Sequence, residues 1–189
     1  AEGYSSVVER AHKEQSENLE KLKNLSEMND LGSRITLLLQ KYPTSKTRDE
    51  TGMKERDDII NNPLLSDEKK MLSSITMKRF YNFNVILKEW TGDHAASLGY
   101  AIKYADVVEK DVLKQKASLH EFIISLYSVL ASSGRAHNME EYENAYNKLE
   151  DFKRQFPDAT ERDRLEASYM LGLSVFSKAA DDYHAERGE

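Results

Sequence analysis

Cysteine is absent from the 189 residues, which excludes disulfide bridges, thiol nucleophiles and thiolate metal sites. That absence leaves the compartment open, because cytosolic and envelope proteins alike can lack the residue. Three prolines and eight glycines leave few points at which a helix must break. No apolar run approaches the ~20 residues needed to cross a bilayer, so no membrane-spanning segment is expected. Basic charge is not in excess either. With 27 Lys and Arg against 33 Asp and Glu the formal charge is −6, which argues against non-specific attraction to phosphate backbones and against a nucleic-acid partner. Also missing are a Gly-rich phosphate loop and a Gly-x-Ser-x-Gly nucleophile turn, and His120-Glu121 lacks the second histidine of the zinc-protease pattern. The opening Ala1-Glu2-Gly3-Tyr4 has no initiator methionine and no hydrophobic signal core, which fits a removed leader or trimmed ends.

What remains is ordinary folded composition, 39% apolar and 32% charged, in a chain long enough for one continuous core. The apolar periodicity is helical almost throughout, so the expectation is a single all-α domain over residues 1–189. An N-terminal helical pair is predicted within residues 1–43. Its first helix carries Tyr4, Val7, Val8, Ala11, Leu19, Leu22 and Leu25, and its second carries Leu31, Ile35 and Leu37 to Leu39 before stopping at Tyr42-Pro43. Residues 44–66 read as a charged connection holding a short helix around Met53 to Ile60.

From Ser66-Asp67-Glu68, a good helix start, the pattern becomes regular over residues 66–189. A helix ending at Trp90 meets the turn Thr91-Gly92-Asp93, and a return helix follows with Leu98, Ala101, Ile102, Ala105 and Val108. The next pair places Phe122, Ile123, Leu126 and Leu130 on one helix and Tyr142, Ala145, Leu149 and Phe152 on the other, with Gly134 in the turn. Phe156-Pro157 then stops the chain, Asp158 to Asp163 turns it, and a last helix runs from about Arg162 with Leu165, Tyr169, Leu171, Val175 and Phe176. This last helix reads as the first half of another hairpin. A lone hairpin cannot bury both its faces, so several must stack to share one elongated core.

Candidate catalytic chemistry is sparse. Glu9-Arg-Ala-His12 and Asp181-Asp-Tyr-His184 each put a carboxylate and an imidazole one helical turn apart, the ligand spacing of di-iron bundles. Such a site also needs inward carboxylates on two further helices. Both pairs sit in strongly polar stretches, so solvated surface is expected, with no metal site and no cofactor assigned. The sequon Asn24-Leu-Ser26 reads as a chance occurrence.

Three stretches carry a resemblance. Tyr142-Glu-Asn-Ala145, running through an amphipathic helix to Pro157, resembles the second helix and terminal proline of a tetratricopeptide repeat. Ala167-Ser-Tyr-Met-Leu171-Gly172 is similar to that family's first helix, and Thr91-Gly92-Asp93-His94 to its intra-hairpin turn. The resemblance implies a divergent array of antiparallel hairpins stacked as a right-handed α-solenoid, with an irregular helical bundle as the alternative. It implies a non-catalytic scaffold or adaptor that takes a peptide or partner protein on a concave surface lined by first helices. Carried onto this chain, the groove positions are Asn82, Ile86, Glu89 and Trp90, then Ile124 and Ser128, then Tyr169, Leu173 and Phe176. The aromatic-proline ends at Phe156-Pro157 and Tyr42-Pro43 resemble those of bacterial envelope members, which favours a periplasmic or secreted location over a cytoplasmic one. Two other readings stay open: a helical-bundle metal protein or enzyme, and a sensory or regulatory region of a larger protein.

Overall fold

The computed structural model describes residues 4–45 and 50–187, with side chains for 6–45 and 50–179. All regular structure among these residues is helical, as expected. The chain comprises two compact units, Ala1–Phe83 and Asn84–Glu189. The division falls inside a continuous helix, Ser74–Thr91, that contains neither glycine nor proline, so no linker composition marks it.

In the first unit, α1 (Tyr4–Lys41) is one helix of 38 residues rather than the predicted pair. The intervening Ser26-Glu27-Met28-Asn29-Asp30 holds no helix breaker, and Met28 is fully buried, so the hydrogen-bond ladder runs on unbroken. Asn24, Met28, Leu31, Ile35 and Leu38 recur at steps of four and three and make the buried stripe, whereas residues 6–23 are exposed throughout. Gly32 is required on this helix because a Cβ there would lie 2.6 Å from Cζ of Phe83.

The predicted connection over 44–66 is largely helical, with α2 at Glu50–Ile60 and α3 at Pro63–Ser66. Asn62 caps α3 by accepting from Leu64 N–H at 2.9 Å, and Pro63 sits in the first turn, where its missing N–H costs nothing. The long helix expected at Ser66-Asp67-Glu68 begins later, at α4 (Ser74–Thr91). Asp67 instead caps a short 3-10 turn, Glu68–Lys70. Ser73 and Thr76 then bond reciprocally, Thr76 N–H to Ser73 Oγ at 3.2 Å and Ser73 N–H to Thr76 Oγ1 at 3.1 Å. This two-way cap satisfies two of the N–H donors left open at the start of α4.

The second unit holds the rest of α4, then α5 (His94–Leu113), α6 (Leu119–Arg135), α7 (Met139–Glu150), α8 (Phe152–Gln155) and α9 (Glu161–Arg187). Side-chain caps open the helices: Asp93 bonds Ala96 N–H, Ser118 bonds Glu121 N–H, and Asn138 bonds Glu141 N–H. Gly92 turns the chain between α4 and α5 with φ of +81°. The corresponding turn after α6 is made differently. Gly134 stays helical, and the left-handed residue is His137 at φ 53°.

Helix α6 packs against α5, α7 and α9. Phe122, Ile123, Leu126, Val129 and Leu130 are its buried apolar residues, met by Leu98, Ala101 and Val108 of α5 and by Tyr142, Ala145 and Leu149 of α7. Phe156 closes this core at the joint before α9, 5.3 Å from the Phe122 ring and 5.2 Å from Phe152 between centroids. Thr160 and Asp163 then form a reciprocal cap that starts α9, with Asp163 N–H to Thr160 Oγ1 at 3.2 Å and Thr160 N–H to Asp163 Oδ2 at 3.1 Å.

Gly92 in its turn and Gly134 in its helix separate cleanly in their expected behaviour. A Cβ at Gly134 would meet nothing within 4 Å, so Gly134→Ala should raise stability by about 0.5–1 kcal/mol through helix propensity. Gly92→Ala should lower it by about 1–2 kcal/mol because alanine pays for a left-handed backbone. Denaturant unfolding of both variants checks this, and a shift of the same sign in the two would contradict the assignment of the turns.

Candidate interaction surface

Helix α9 is apolar on two opposite sides. Ala167 and Ser174, seven residues apart, are buried, and Tyr142 Oη donates to Ser174 Oγ at 3.4 Å from α7. On the other side Leu165, Tyr169 and Phe176 are 64%, 62% and 74% exposed, with Val175 beside them at 51%. Leu165, Tyr169, Gly172 and Phe176 follow at steps of four, three and four, which at 3.6 residues per turn confines them to about 60° of arc. An apolar stripe of this width on a helix ordinarily faces a core. Here it faces solvent, and the space above Gly172 is empty for 4 Å around a Cβ position. A second backbone can therefore come close at the middle of the stripe.

The nine groove positions carried over from the resemblance differ in their surroundings. Asn82 belongs to the first unit, and the other eight belong to the second. Ile86, Trp90, Ile124 and Leu173 are half-buried among their own neighbours. Ser128 is also half-buried and donates to Ile124 O within its own helix at 3.0 Å. Glu89 is bound internally, as described below. Only Tyr169 and Phe176 present most of their surface, and Leu165, which the sequence places among the apolar residues of this helix but not among the groove positions, joins them. Its spacing of four from Tyr169 and seven from Gly172 was the signal that places it on the same stripe.

Glu89 anchors a polar cluster that local sequence patterns do not reveal. Arg135 Nη1 donates to Glu89 Oε2 at 2.7 Å, Ser132 Oγ donates to Oε1 at 3.0 Å, and His94 Nδ1 lies 3.1 Å from Oε2. Ser97, fully buried, continues the network, with its Oγ 3.1 Å from Ser132 Oγ and 3.2 Å from Val85 O. Partial burial pushes the Glu89 carboxyl up, but the Arg135 guanidinium and the two serine hydroxyls outweigh burial and hold it below its ordinary value. The imidazole meets the carboxylate and not a hydroxyl, and Ser132 is 1% exposed, so the geometry is that of a cross-link between α4, α5 and α6 and not of a nucleophile with its base.

The remaining sequence candidates are placed as follows. Glu9 and His12 are exposed on α1, and the side chains of Asp181 and His184 lie outside the described residues. Among the described residues no group of three or more His, Asp or Glu converges on a metal position, and no helix is long and apolar enough to cross a membrane. Asn24 of the sequon is 6% exposed, and its Oδ1 accepts from Leu72 N–H at 3.2 Å, so its amide is committed to the interior. In comparisons with protein-family models, curated proteins and solved structures, the chain matches none.

The Glu89 cluster makes stability depend on pH in a defined direction. Its folded carboxyl binds a proton less tightly than the ordinary 4.5, so the unfolded chain protonates first as pH falls, and the stabilisation present above 4.5 is lost through the folded value. Glu89→Gln keeps the shape and removes the charge, and should cost about 1 kcal/mol at neutral pH. That difference from the unaltered protein should close at acid pH, as read by urea unfolding across the range. A gap that stays constant with pH would show that the charge plays no part.

Proposed function

We propose that the chain is a non-catalytic protein-interaction module, a divergent tetratricopeptide-like array of helical hairpins that holds a partner protein or peptide against the outer face of α9. The observation that carries this reading is the solvent-facing stripe of Leu165, Tyr169 and Phe176. Hydrophobic residues scattered singly over a surface need no explanation, but three large ones aligned over three helical turns do. Tyrosine and phenylalanine supply large contact areas at small entropic cost, the composition found at interface centres.

The array reading is supported by the order of contacts in the second unit. Tight turns join α4 to α5 and α6 to α7, and α6, the first helix of its pair, packs on α9, the first helix after the next joint. That is the neighbour pattern of stacked hairpins, each sharing its core with the next. Tyr169 and Phe176 are the groove positions that this arrangement leaves free. Support for a non-catalytic role comes from the Glu89 cluster, whose acid, imidazole and hydroxyl groups are spent on one another.

A photo-activatable phenylalanine analogue placed at Tyr169, and separately at the exposed Lys153 of α8, tests the surface in cells of the protein's source. A discrete adduct is expected from position 169, lost when Leu165→Asp is added, and none from position 153. Tyr169→Ala should change unfolding stability by no more than about 0.5 kcal/mol, whereas Leu126→Ala, 2% exposed, should cost about 2–5 kcal/mol. Equal labelling from both positions, or a large stability loss in Tyr169→Ala, would remove α9 as the docking face.

A further inference from the structure

A second surface lies away from the α9 stripe, in the groove between α5 and α7. It is a cavity of about 400 Å³ whose floor is Leu126 and Val129 of α6, with Ala105 and Ala145 on its walls. All four are buried within the unit, and the two alanines keep the walls apart. The volume suits one branched aliphatic side chain with its backbone, not a folded domain.

The rim has a different character from the floor. Asp106 of α5 and Glu141 of α7 stand on opposite sides, and among the described residues neither carboxylate has an ion-pair partner. Lys148, the basic residue on the rim, is neutralised by Glu109 at 2.8 Å. Asp151 also lines the groove but is paired with Arg154, so the uncompensated charge on the rim is that of Asp106 and Glu141. Asn144 and Asn147 also line the cavity, and their side-chain amides make no hydrogen bond among the described residues. Each offers both a donor and an acceptor, which is what the backbone of an extended segment needs.

We propose that this groove binds a short basic segment of a partner protein, an extended stretch in which an aliphatic side chain is flanked by arginine or lysine. The aliphatic group sits on Leu126 and Val129, the flanking cations reach Asp106 and Glu141, and Asn144 and Asn147 hold the intervening backbone. Charge selects this occupant. An acidic or neutral segment of the same shape would leave two carboxylates facing it without compensation. The site shares no residue with the α9 stripe, so it stands or falls independently of that surface.

The test uses the full chain and the acetylated, amidated pentapeptide Gly-Arg-Leu-Arg-Gly, followed by backbone amide NMR shifts at low salt. Shifts are expected to cluster at Ala105, Val129, Asn144 and Asn147. Replacing the peptide leucine with alanine should weaken binding at least about tenfold through lost burial. Replacing both arginines with glutamate should abolish it. In the protein, Asp106→Asn with Glu141→Gln should weaken binding about two- to thirtyfold, the effect of two rim charges, with no change in unfolding midpoint. Shifts spread along the outer side of α7 and indifferent to the leucine would mean a diffuse charge effect and overturn the proposal. An absence of shifts at millimolar peptide would overturn it equally.

Discussion

Everything in the second unit depends on the burial of α6. From Glu121 to Gly134 no residue of that helix is fully exposed, and apart from a half-buried stripe through Ile124, Ser128 and Ala131 it is covered by other elements. Burial on this scale forces its polar groups to find partners, because an unpaired hydroxyl in a core costs about 1–3 kcal/mol. The serines of α6 meet the demand locally. Ser125 and Ser133 donate to Phe122 O and Val129 O of the same helix, and Ser132 reaches Glu89. Small side chains at these positions also let α5, α7 and α9 come close.

Covering α6 explains only one of the two sides of α9. Its inner side, at Ala167 and Ser174, closes the core, and small residues there permit close packing. Its outer side has no such duty within the unit, yet Leu165, Tyr169 and Phe176 are as large and apolar as core residues. A helix under selection only for solubility would carry charge there. The Phe122, Phe152 and Phe156 rings fix the joint that delivers the chain into α9, so the orientation of the outer stripe is set by the same core that α6 organises.

Much of this unit was legible in the sequence. The apolar periods over α5, α6 and α7 name residues that are indeed buried, among them Ala101, Val108, Phe122, Leu126, Tyr142 and Leu149, because a helix in a core must repeat near 3.6. Legibility failed where more than one rule was satisfied. For α9 both sides carry apolar residues, so period alone does not say which faces inward, and Leu165 is absent from the groove positions expected there. In α1 the polar stretch at 26–30 looked like a break although nothing in it opposes a helix. At Ser66-Asp67 a good cap signal was outcompeted by the reciprocal pair at Ser73 and Thr76. The Glu89 cluster joins residues more than forty positions apart, and no local pattern encodes it.

The account rests on α9 keeping one side packed and one side open. Hydroxyl-radical footprinting of the dilute protein reads this directly, residue by residue. Tyr169 and Phe176 should be oxidised at rates near those of solvent-exposed aromatics, while Phe122, Tyr142 and Phe152 stay protected. Protection of Tyr169 and Phe176 equal to that of Phe122 would mean that the stripe is already covered within the chain, and the interaction surface would not exist.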